Sequence, residues 1–571
     1  MNILDKIKEK IANKINKALG SKIVQASDLV YPPKPEMGDL SLPCFKIKIR
    51  PGKIAEEVLL MPEISGVKWA GPYLNFRLSK EKLAQLVIRE VGKQKDKYGE
   101  NAVGKGKRVM IEYSNANTHK EYHVGHLRNI TYGDAVSRIL SANGFKLIPV
   151  SYINDFGIHA AKTLWAYLSF YKDKKLPADK GEFLGKVYAR SVKEMEKDPL
   201  AKEKVFFMMR KIESRQGEEY KLWQKTRQWS IEAFSKIHQE LGVKFTHTFY
   251  ESEFIEAGLK KVSQLYKKGF LTKSEGAVIK DLGEFNLGAL LFLRSDGSAL
   301  YPVADMPLAI EKFKKYKLDA SIYVVDNRQS LYFKQLFKVM ELLGFKQSMI
   351  HLKYDFVKLP SGAMSSRLGN VISYNDLRAL VYQRAREETK KRHQDWSKRK
   401  LDKTVNAIVN SALKFEMLKV GAGQIITFDI NQALRFDGFT AAYLQYTYAR
   451  INSIIKKSKN NANPRMHANT ANLNYTNIKY DKLTEKKEHV LVLELAKFND
   501  IVLKAGENYD PSLAAKYLFD LARIFNDYYH KISVLKAEKD VREARLALIL
   551  SISQVIKNGL NLLGIETVNE M

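Results

Sequence analysis

The chain has 571 residues, and 95 Lys and Arg against 63 Asp and Glu give it a formal net charge of +32. Its length suggests about three or four domains rather than a single core. The single cysteine, Cys44, excludes a disulfide framework and a cysteine-rich zinc site. The charge fits either a lysine-rich proteome or a polyanionic partner such as nucleic acid, and charge alone does not choose between them.

No segment has the roughly 18 consecutive apolar residues that a membrane-spanning helix needs, so we expect no membrane partner. The N-terminus does not resemble a signal peptide, because its apolar residues recur at helical spacing with lysines and acids between them. These apolar residues are Ile3, Leu4, Ile7, Ile11, Ile15 and Leu19. We predict an amphipathic helix there and, with the lone cysteine, a cytoplasmic protein.

Residues 1–90 are predicted to form a small α+β domain. Proline-rich turns and short strand-like runs follow the first helix, and the alternation over residues 71–76 is typical of a strand. A segment rich in Lys and Gly, residues 92–108, is predicted to be a linker.

Residues 105–376 show strands alternating with helices. Residues 109–113 and 145–152 are predicted strands, and an apolar face over 127–143 predicts the helix between them. This β-α-β unit implies a parallel, doubly wound sheet of the Rossmann type with right-handed crossovers.

A Lys/Glu-rich insertion over about 172–243 is predicted to be mostly helical, and the sheet is expected to resume near Phe292 and at residues 322–325. Beyond this domain we predict a helical connecting region, 377–435, and a helical bundle, 436–571. Residues 456–480, rich in Asn and Lys without periodicity, are predicted to be a loop. The predicted fold class is therefore an α/β Rossmann-type domain with a helical insertion, a small N-terminal α+β domain and an all-α C-terminal bundle.

The stretch His123-Val124-Gly125-His126 lies between the first strand and the first helix of the α/β unit. Backbone N–H groups at a helix start favour anions, and two histidines there can donate to a phosphate. Gly125 leaves room for an adenine ring against the backbone. No Gly-Lys pair is followed by Ser or Thr, so the sequence has no P-loop. Taken alone, the stretch is compatible with two surface histidines.

With the preceding residues 113–122, the stretch resembles the HIGH signature of class I aminoacyl-tRNA synthetases, in the form used by the arginyl-tRNA synthetase family. The resemblance implies that His123, Gly125 and His126 bind ATP and take part in catalysis.

Residues 362–370, Gly-Ala-Met-Ser-Ser-Arg-Leu-Gly-Asn, resemble the second class I signature, KMSKS. The residues implied to contact ATP are Met364, Ser365 and Ser366. Both lysines of the signature are replaced, yet a cation must neutralise the pyrophosphate leaving group. Many arginyl enzymes have a lysine just before HIGH, so Lys120 and Arg367 are predicted to share this role. The alternative is that Lys120 is an ordinary surface lysine.

A pocket specific for arginine needs acids and planar acceptors that match the fork of N–H donors on the guanidinium. The resemblance implies a substrate-binding set of Glu112, Ser114, Asn117, Tyr301, Asp305 and Gln329. Asp305 is expected to be the main guanidinium partner, and Glu112 is expected near the cationic groups of the substrate. Val303-Ala304 stands where the family often has Thr-Arg. Alternatively, Tyr301 is a core residue and Glu112 an ordinary salt-bridge partner.

The C-terminal region resembles the anticodon-binding bundle of arginyl enzymes, and the N-terminal domain resembles their D-loop-binding domain. The tRNA contacts that this implies are Tyr73, Asn75, Tyr443, Tyr448, Arg450, Tyr529 and Met571. Aromatic side chains can stack on unpaired bases but are more often core, and Leu444 and Ile451 are expected to be core.

The resemblance implies ATP-dependent ligation of L-arginine to tRNA(Arg) through an arginyl-adenylate, with release of AMP and pyrophosphate. Mg²⁺ is expected to bind with ATP rather than at a dedicated protein metal site, and no zinc is expected. The protein is expected to be a monomer. One alternative is a class I synthetase for another amino acid, although glutamyl or glutaminyl specificity would need cations in place of Glu112 and Asp305. The other is a non-catalytic RNA-binding paralogue, which the loss of the KMSKS lysines favours.

Overall fold

The computed structural model describes residues 2–45, 51–198, 200–358, 372–460 and 475–571. Its N-terminal elements are α1 (Ile3–Leu19), β1 (Leu40–Pro43), α2 (Pro51–Leu59), β2 (Ile64–Ala70), β3 (Tyr73–Leu78) and α3 (Lys80–Gln94). The strands form an antiparallel sheet in the order β1-β3-β2. The predicted amphipathic helix is confirmed by α1, which buries Leu4, Ile7, Ile11 and Ile15.

The predicted linker over residues 92–108 is wrong in its first part. Helix α3 continues to Gln94, and the buried ring of Tyr98 stacks on Phe498 with ring centroids 6.2 Å apart. The Tyr98 hydroxyl also donates to the carbonyl of Leu495 at 2.9 Å. One buried aromatic side chain thus fixes this segment against the C-terminal helices, which its Lys and Gly content does not reveal.

The central region begins with β4 (Arg108–Glu112), α4 (Val124–Ala142), β5 (Lys146–Ile153), α5 (Ile158–Phe170), α6 (Lys180–Lys197), α7 (Ala201–Glu213), α8 (Gly217–Glu240), β6 (His247–Tyr250) and α9 (Ile255–Lys267). It continues with β7 (Thr272–Ser274), β8 (Ala277–Asp281), β9 (Ala289–Leu293), α10 (Tyr301–Tyr316), β10 (Ala320–Asp326), α11 (Ser330–Leu342), β11 (Ser348–Tyr354) and β12 (Val357–Lys358). Helices α6, α7 and α8 confirm the mostly helical insertion.

Five strands form a parallel sheet in the order β11-β10-β4-β5-β6. The chain runs outward from β4 through β5 to β6 on one side, and from β10 to β11 on the other. The order of the strands therefore reverses between β4 and β10. Ligands of open parallel sheets bind at such a switch point, beyond the carboxyl ends of the strands.

The expectation that this sheet resumes near Phe292 is wrong, whereas the strand at residues 322–325 is confirmed by β10. Phe292 lies in β9, which joins β7 and β8 in a separate antiparallel sheet. Its buried ring packs with Val303 and Met306 of α10. Alternating apolar residues predict a strand, but they do not reveal which sheet it joins.

The remaining elements are α12 (Tyr374–Arg392), α13 (Lys398–Leu418), β13 (Ile426–Thr427), α14 (Ile430–Ala433), α15 (Ala441–Asn460), α16 (Lys486–Glu507), α17 (Pro511–Lys531) and α18 (Lys539–Leu562). Leu444 and Ile451 are fully buried, as predicted. The predicted loop over 456–480 begins too early, because α15 continues to Asn460, and residues 461–474 lie outside the described residues.

The architecture confirms the predicted fold class: a Rossmann-type parallel sheet with a helical insertion, an N-terminal α+β region and a helical C-terminal region. No helix in the described ranges is both long and apolar enough to cross a bilayer.

Candidate active site

A cavity of about 280 Å³ lies at the switch point between β4 and β10. The predicted site residues that line it are Glu112, Asn117, His123, Gly125, His126, Tyr301, Asp305 and Gln329. They come from the ends of β4 and β10, from the start of α4 and from α10. The sheet thus brings the HIGH stretch and most of the predicted substrate-binding set to one place.

The two histidines are held by backbone hydrogen bonds at the start of α4. The N–H of Gly125 donates to Nδ1 of His123, and the N–H of His123 donates to Nδ1 of His126, both at 3.1 Å. Because both Nδ1 atoms accept, we assign the proton of each neutral ring to Nε2. Burial lowers the pKa of His123 to about 4 and that of His126 well below its usual value. Each ring is therefore neutral at pH 7 and retains one N–H donor.

Two carboxylates near the start of α10 have free acceptor atoms. Oδ2 of Asp305 accepts from the Tyr332 hydroxyl at 2.5 Å, whereas the buried Oδ1 has no hydrogen-bond partner among the described residues. Glu251 is only 8% exposed, and its Oε2 is likewise unpartnered within that part of the chain. Burial raises the pKa of Asp305 to about 6. Burial, reinforced by the charge of Asp305, raises the pKa of Glu251 to about 8.

Sequence reasoning missed Glu251. It directly follows β6, so it lies at the carboxyl edge of the same parallel sheet. An acid at the end of a parallel strand was the available signal, but β6 was not predicted as a strand.

Glu112 forms an ion pair with Lys312 at the cavity. Sequence reasoning also missed Lys312. The Lys312 ammonium donates to the Glu112 carboxylate, and both side chains are buried. Asn115 donates to the same carboxylate at 3.2 Å, and the Tyr323 ring centroid lies 4.9 Å from the ammonium. The ion pair matches the alternative in which Glu112 is a salt-bridge partner, although Glu112 also lines the cavity.

Ser114 does not reach the cavity. Its side chain is buried, with Oγ 2.9 Å from the Tyr122 hydroxyl and 2.9 Å from Nε2 of His238. The left-handed backbone at Ser114, with φ of 60°, directs the chain away from the strand at this point. The placement gives Ser114 a structural position behind the site and does not support the predicted substrate contact.

The structure places Lys120 beside the cavity and not in its lining. Its ammonium lies 4.9 Å from the ring centroid of Tyr188, and the side chain lines a neighbouring cavity of about 260 Å³ with Ser373. Burial, with a smaller effect of Lys162, lowers the pKa of Lys120 to about 8. Arg367 and the predicted ATP contacts Met364, Ser365 and Ser366 lie outside the described residues.

The residues that follow the KMSKS-like stretch are joined to the HIGH stretch. The N–H of Val124 donates to the carbonyl of Ile372 at 3.4 Å, and the N–H of Tyr374 donates to the carbonyl of Tyr122 at 2.7 Å. Ser373 and His123 form an isolated antiparallel bridge. The described residues that follow the second signature, 372–374, therefore lie beside the first.

Arg328 is a further cation that sequence reasoning did not assign. It lines the cavity with His123 and Gln329, and its side chain is 80% exposed. Nε and Nη2 donate to the Asp326 carboxylate at 2.7 and 2.9 Å. A basic residue just beyond the carboxyl end of β10 was the signal that could have identified it.

A cavity of about 1010 Å³ in the helical C-terminal region is lined by three predicted tRNA contacts, Arg450, Tyr529 and Met571. The Arg450 guanidinium lies 5.6 Å from the ring centroid of Tyr529. His393 and Trp396, missed by the sequence analysis, stack 3.9 Å apart and line the same cavity.

The other four predicted tRNA contacts lie elsewhere. Tyr443 and Tyr448 are half-buried and pack against the core rather than lining this cavity. Tyr73 is exposed and meets the exposed ring of Phe45 edge-to-face, with centroids 5.6 Å apart. Asn75, in the central strand of the N-terminal sheet, is only 3% exposed. Its placement does not support a contact with tRNA.

Within the described ranges, no group of three or more His, Cys, Asp or Glu side chains could hold a metal ion. Because this finding covers only the described residues, the expected lack of a zinc site stays a prediction.

Three family models match consecutive parts of the chain. "tRNA synthetases class I (R), catalytic domain" matches residues 87–426, "DALR anticodon binding domain" matches 444–571, and "Arginyl tRNA synthetase N terminal domain" matches 5–78. The first alone covers more than half of the chain.

Curated relatives agree over nearly the full length. The arginine–tRNA ligase of Bdellovibrio bacteriovorus is 35% identical, over 95% of this chain and 94% of its own. That of Clostridium acetobutylicum is 34% identical, over 99% of this chain and 100% of its own. Among solved structures, Thermus thermophilus arginyl-tRNA synthetase matches with a TM-score of 0.79 at 26% identity, covering 100% of both chains. These matches, together with the arrangement of the HIGH stretch at the switch point, show that the chain belongs to the arginyl-tRNA synthetase family of class I aminoacyl-tRNA synthetases.

Proposed function

We propose that this chain ligates L-arginine to tRNA(Arg) at the expense of ATP, through an arginyl-adenylate, with release of pyrophosphate and AMP. The observation that carries the proposal is one cavity at the switch point that is lined both by the two HIGH histidines and by Asp305, whose Oδ1 has no hydrogen-bond partner among the described residues. Membership of the family supplies the reaction class, and the cavity supplies groups suited to both substrates.

In the first step, a carboxylate oxygen of arginine attacks the α-phosphorus of ATP in line, and the bond from that phosphorus to the pyrophosphate oxygen breaks. The Nε2–H donors of His123 and His126 stabilise the negative charge that builds on the α-phosphate oxygens. In the second step, the 2′-hydroxyl of the terminal adenosine attacks the arginyl carbonyl carbon. That hydroxyl loses its proton, and AMP leaves.

The arginine side chain is recognised by Asp305 and Glu251. Each carboxylate offers a buried oxygen without a partner in the described part of the chain, which suits a guanidinium fork. Asn117, Tyr301 and Gln329 line the same cavity and orient the rest of the substrate. A charge-assisted hydrogen bond contributes about 1.5–3 kcal/mol, so two such bonds discriminate strongly against uncharged citrulline.

We assign the phosphates to Arg328 and Lys120, and by family resemblance alone to Arg367. Lys120 lies beside the cavity, and Arg328 lines it. Mg²⁺ would accompany ATP on its phosphate oxygens, and we assign no protein side chain to it. We assign the ATP contacts of the KMSKS-like stretch to Met364, Ser365 and Ser366 by family resemblance alone.

The tRNA contacts are divided between the two ends of the chain. The exposed aromatic pair Tyr73 and Phe45 suits the D-loop, and the cavity lined by Arg450, Tyr529 and Met571 suits unpaired anticodon bases. The corresponding domains are those proposed from the sequence: 1–90, 105–376, 377–435 and 436–571. As expected from the sequence, we propose a monomer that acts in the cytoplasm.

Aminoacylation of a tRNA(Arg) transcript, with arginine, lysine, citrulline, glutamate and glutamine tested separately, tests the proposal. Charging with arginine alone supports it. Charging with another amino acid, or tight tRNA binding without charging by any of the five, overturns it in favour of a different specificity or of a non-catalytic RNA-binding protein.

A further inference from the structure

A second cavity, of about 560 Å³, adjoins the candidate arginine pocket. Its larger apolar side chains come from α7, α9 and the segments before α5 and α10, and are those of Phe156, Phe206, Met209, Ile255, Leu259 and Leu300. Phe206 and Leu259 are exposed at its outer side. The cavity therefore combines an apolar wall with an opening to solvent.

The linings of the two cavities interleave along the chain at the start of α10, and Glu251 lies near enough to Asp305 for the charge of Asp305 to raise its pKa. Tyr301 and Asp305 line the first cavity, whereas Leu300 and Ala304, one position earlier in the chain, line the second. Glu251 lines the second cavity, and the Asn154 side chain, which lines the first, is close enough to partly offset the rise in the Glu251 pKa. A group held between Asp305 and Glu251 would thus stand at the boundary between the two cavities.

The polar groups of the second cavity favour a cation at this boundary. Oε2 of Glu251 and Oγ of Ser298 are both buried without a hydrogen-bond partner in the described ranges. The charged side chains that line the cavity besides Glu251 are Glu213, Glu256, Asp296, Arg210 and Arg215. The acids outnumber the arginines, so the lining suits a ligand with a cationic head and an apolar substituent.

We propose that this cavity extends the arginine pocket and accepts the substituent of an Nω-substituted L-arginine. The inference rests on the proposed function, because it requires the guanidinium to lie between Asp305 and Glu251. An alkyl group on the distal nitrogen leaves the guanidinium charged and retains N–H donors for both carboxylates. The alkyl group itself would lie against Phe156, Met209 and Ile255.

The expected affinity follows from burial of the alkyl group. Each methylene transferred from water to an apolar site raises affinity about fourfold. We therefore expect affinity to rise from Nω-methyl- to Nω-ethyl- to Nω-propyl-L-arginine. In a closed pocket, each added carbon would instead lower the affinity, because it would collide with the wall.

Isothermal titration with the full-length chain and its tRNA tests this, using L-arginine and the three Nω-alkyl-L-arginines. Leu259→Trp would fill the outer part of the second cavity, and Leu380→Trp, at an exposed leucine of α12, is the matched control. We expect L259W to abolish the rise along the alkyl series while leaving binding and activation of L-arginine unchanged. L380W should behave like the wild type.

Affinity that falls with each added carbon in the wild type, with L-arginine bound and activated normally, would overturn the inference and leave the proposed function intact. The same conclusion follows if affinity rises along the series equally in L259W and in the wild type. If L-arginine itself is neither bound nor activated, the proposed function fails and the inference fails with it.

Discussion

Lys312 donates a hydrogen bond to Glu112 beneath the candidate arginine pocket, and their side chains are only 1% and 3% exposed. The pair joins α10, which carries Tyr301 and Asp305, to β4, which leads into the HIGH stretch. An ion pair buried in this way is costly to break, because removal of one partner leaves an uncompensated charge. It therefore fixes two walls of the pocket relative to each other.

Lys312→Met is expected to destabilise the protein by about 3–5 kcal/mol, since it leaves the Glu112 carboxylate buried without its cation. Combining it with Glu112→Gln should recover much of this loss, because no buried charge remains. Differential scanning calorimetry of thermal unfolding ranks the stability of the variants. An unfolding temperature of Lys312→Met equal to that of the wild type would show that the pair does not stabilise this region.

Arginine binding is expected to strengthen as pH rises from about 6 to 8. The pKa of Asp305, which is near Glu112, Lys312 and Tyr332, is raised to about 6. The pKa of Glu251, which is near Asp305, is raised to about 8. A bound guanidinium favours the ionised carboxylates, so binding releases protons, about one at pH 7. Titration calorimetry at pH 7 in buffers of different ionisation enthalpy measures this number.

Glu251→Gln should remove most of the proton release at pH 7, because Glu251 has the higher pKa of the two carboxyls. An observed binding enthalpy that does not depend on the buffer in the wild type would contradict the account of this pocket.

Arg328→Ala and Lys120→Ala are each expected to slow arginine-dependent ATP–pyrophosphate exchange by about 10- to 100-fold, the effect of one lost charge-assisted contact. Arginine affinity without ATP should not change. Asp326→Asn is the control for Arg328, because it removes the carboxylate that holds the guanidinium but leaves the cation. A variant with undiminished exchange would remove its residue from the set of phosphate-binding cations.

Gly125→Ala is expected to lower the exchange rate by at least about tenfold through displacement of His123. A Cβ at this position would lie 2.9 Å from Cε1 of the His123 ring. The ring must then move from the place where its Nε2–H can meet a phosphate oxygen. Exchange kinetics measure the loss of activity, and a thermal unfolding scan shows whether the variant folds. We expect no loss of folding.

Tyr529→Ala is expected to weaken tRNA binding by about 5- to 150-fold, since stacking of one base contributes about 1–3 kcal/mol. Filter binding at fixed salt measures the Kd. Asn75→Ala should leave the Kd nearly unchanged, because its side chain is only 3% exposed. A larger effect at Asn75 than at Tyr529 would reverse the proposed assignment of contacts.

The sequence reveals elements and motifs better than the contacts between them. Periodicity and the HIGH stretch together identify β4, α4 and the catalytic edge of the sheet, because local pattern and motif agree there. Periodicity also identifies the strand containing Phe292 but not its sheet, since alternation is the same in a parallel and an antiparallel pair.

Burial of individual polar residues is the other limit. Asn75 lies on the same face of β3 as the exposed Tyr73 and Arg77, so alternation along the strand does not predict its burial. Lys312 and Glu251 meet their partners across long stretches of sequence, and nothing near them distinguishes them from surface charges. In a chain with 95 Lys and Arg and 63 Asp and Glu, such a pair cannot be selected without the fold.

The central claim is that the cavity at the switch point forms arginyl-adenylate. Arginine-dependent ATP–pyrophosphate exchange, with and without tRNA(Arg), in the wild type and in Asp305→Asn, tests it most directly. We predict exchange in the wild type in the presence of tRNA, and a loss of at least about tenfold in D305N from weaker recognition of the guanidinium. No exchange in the wild type under either condition, or full exchange in D305N at low arginine concentration, would contradict the account.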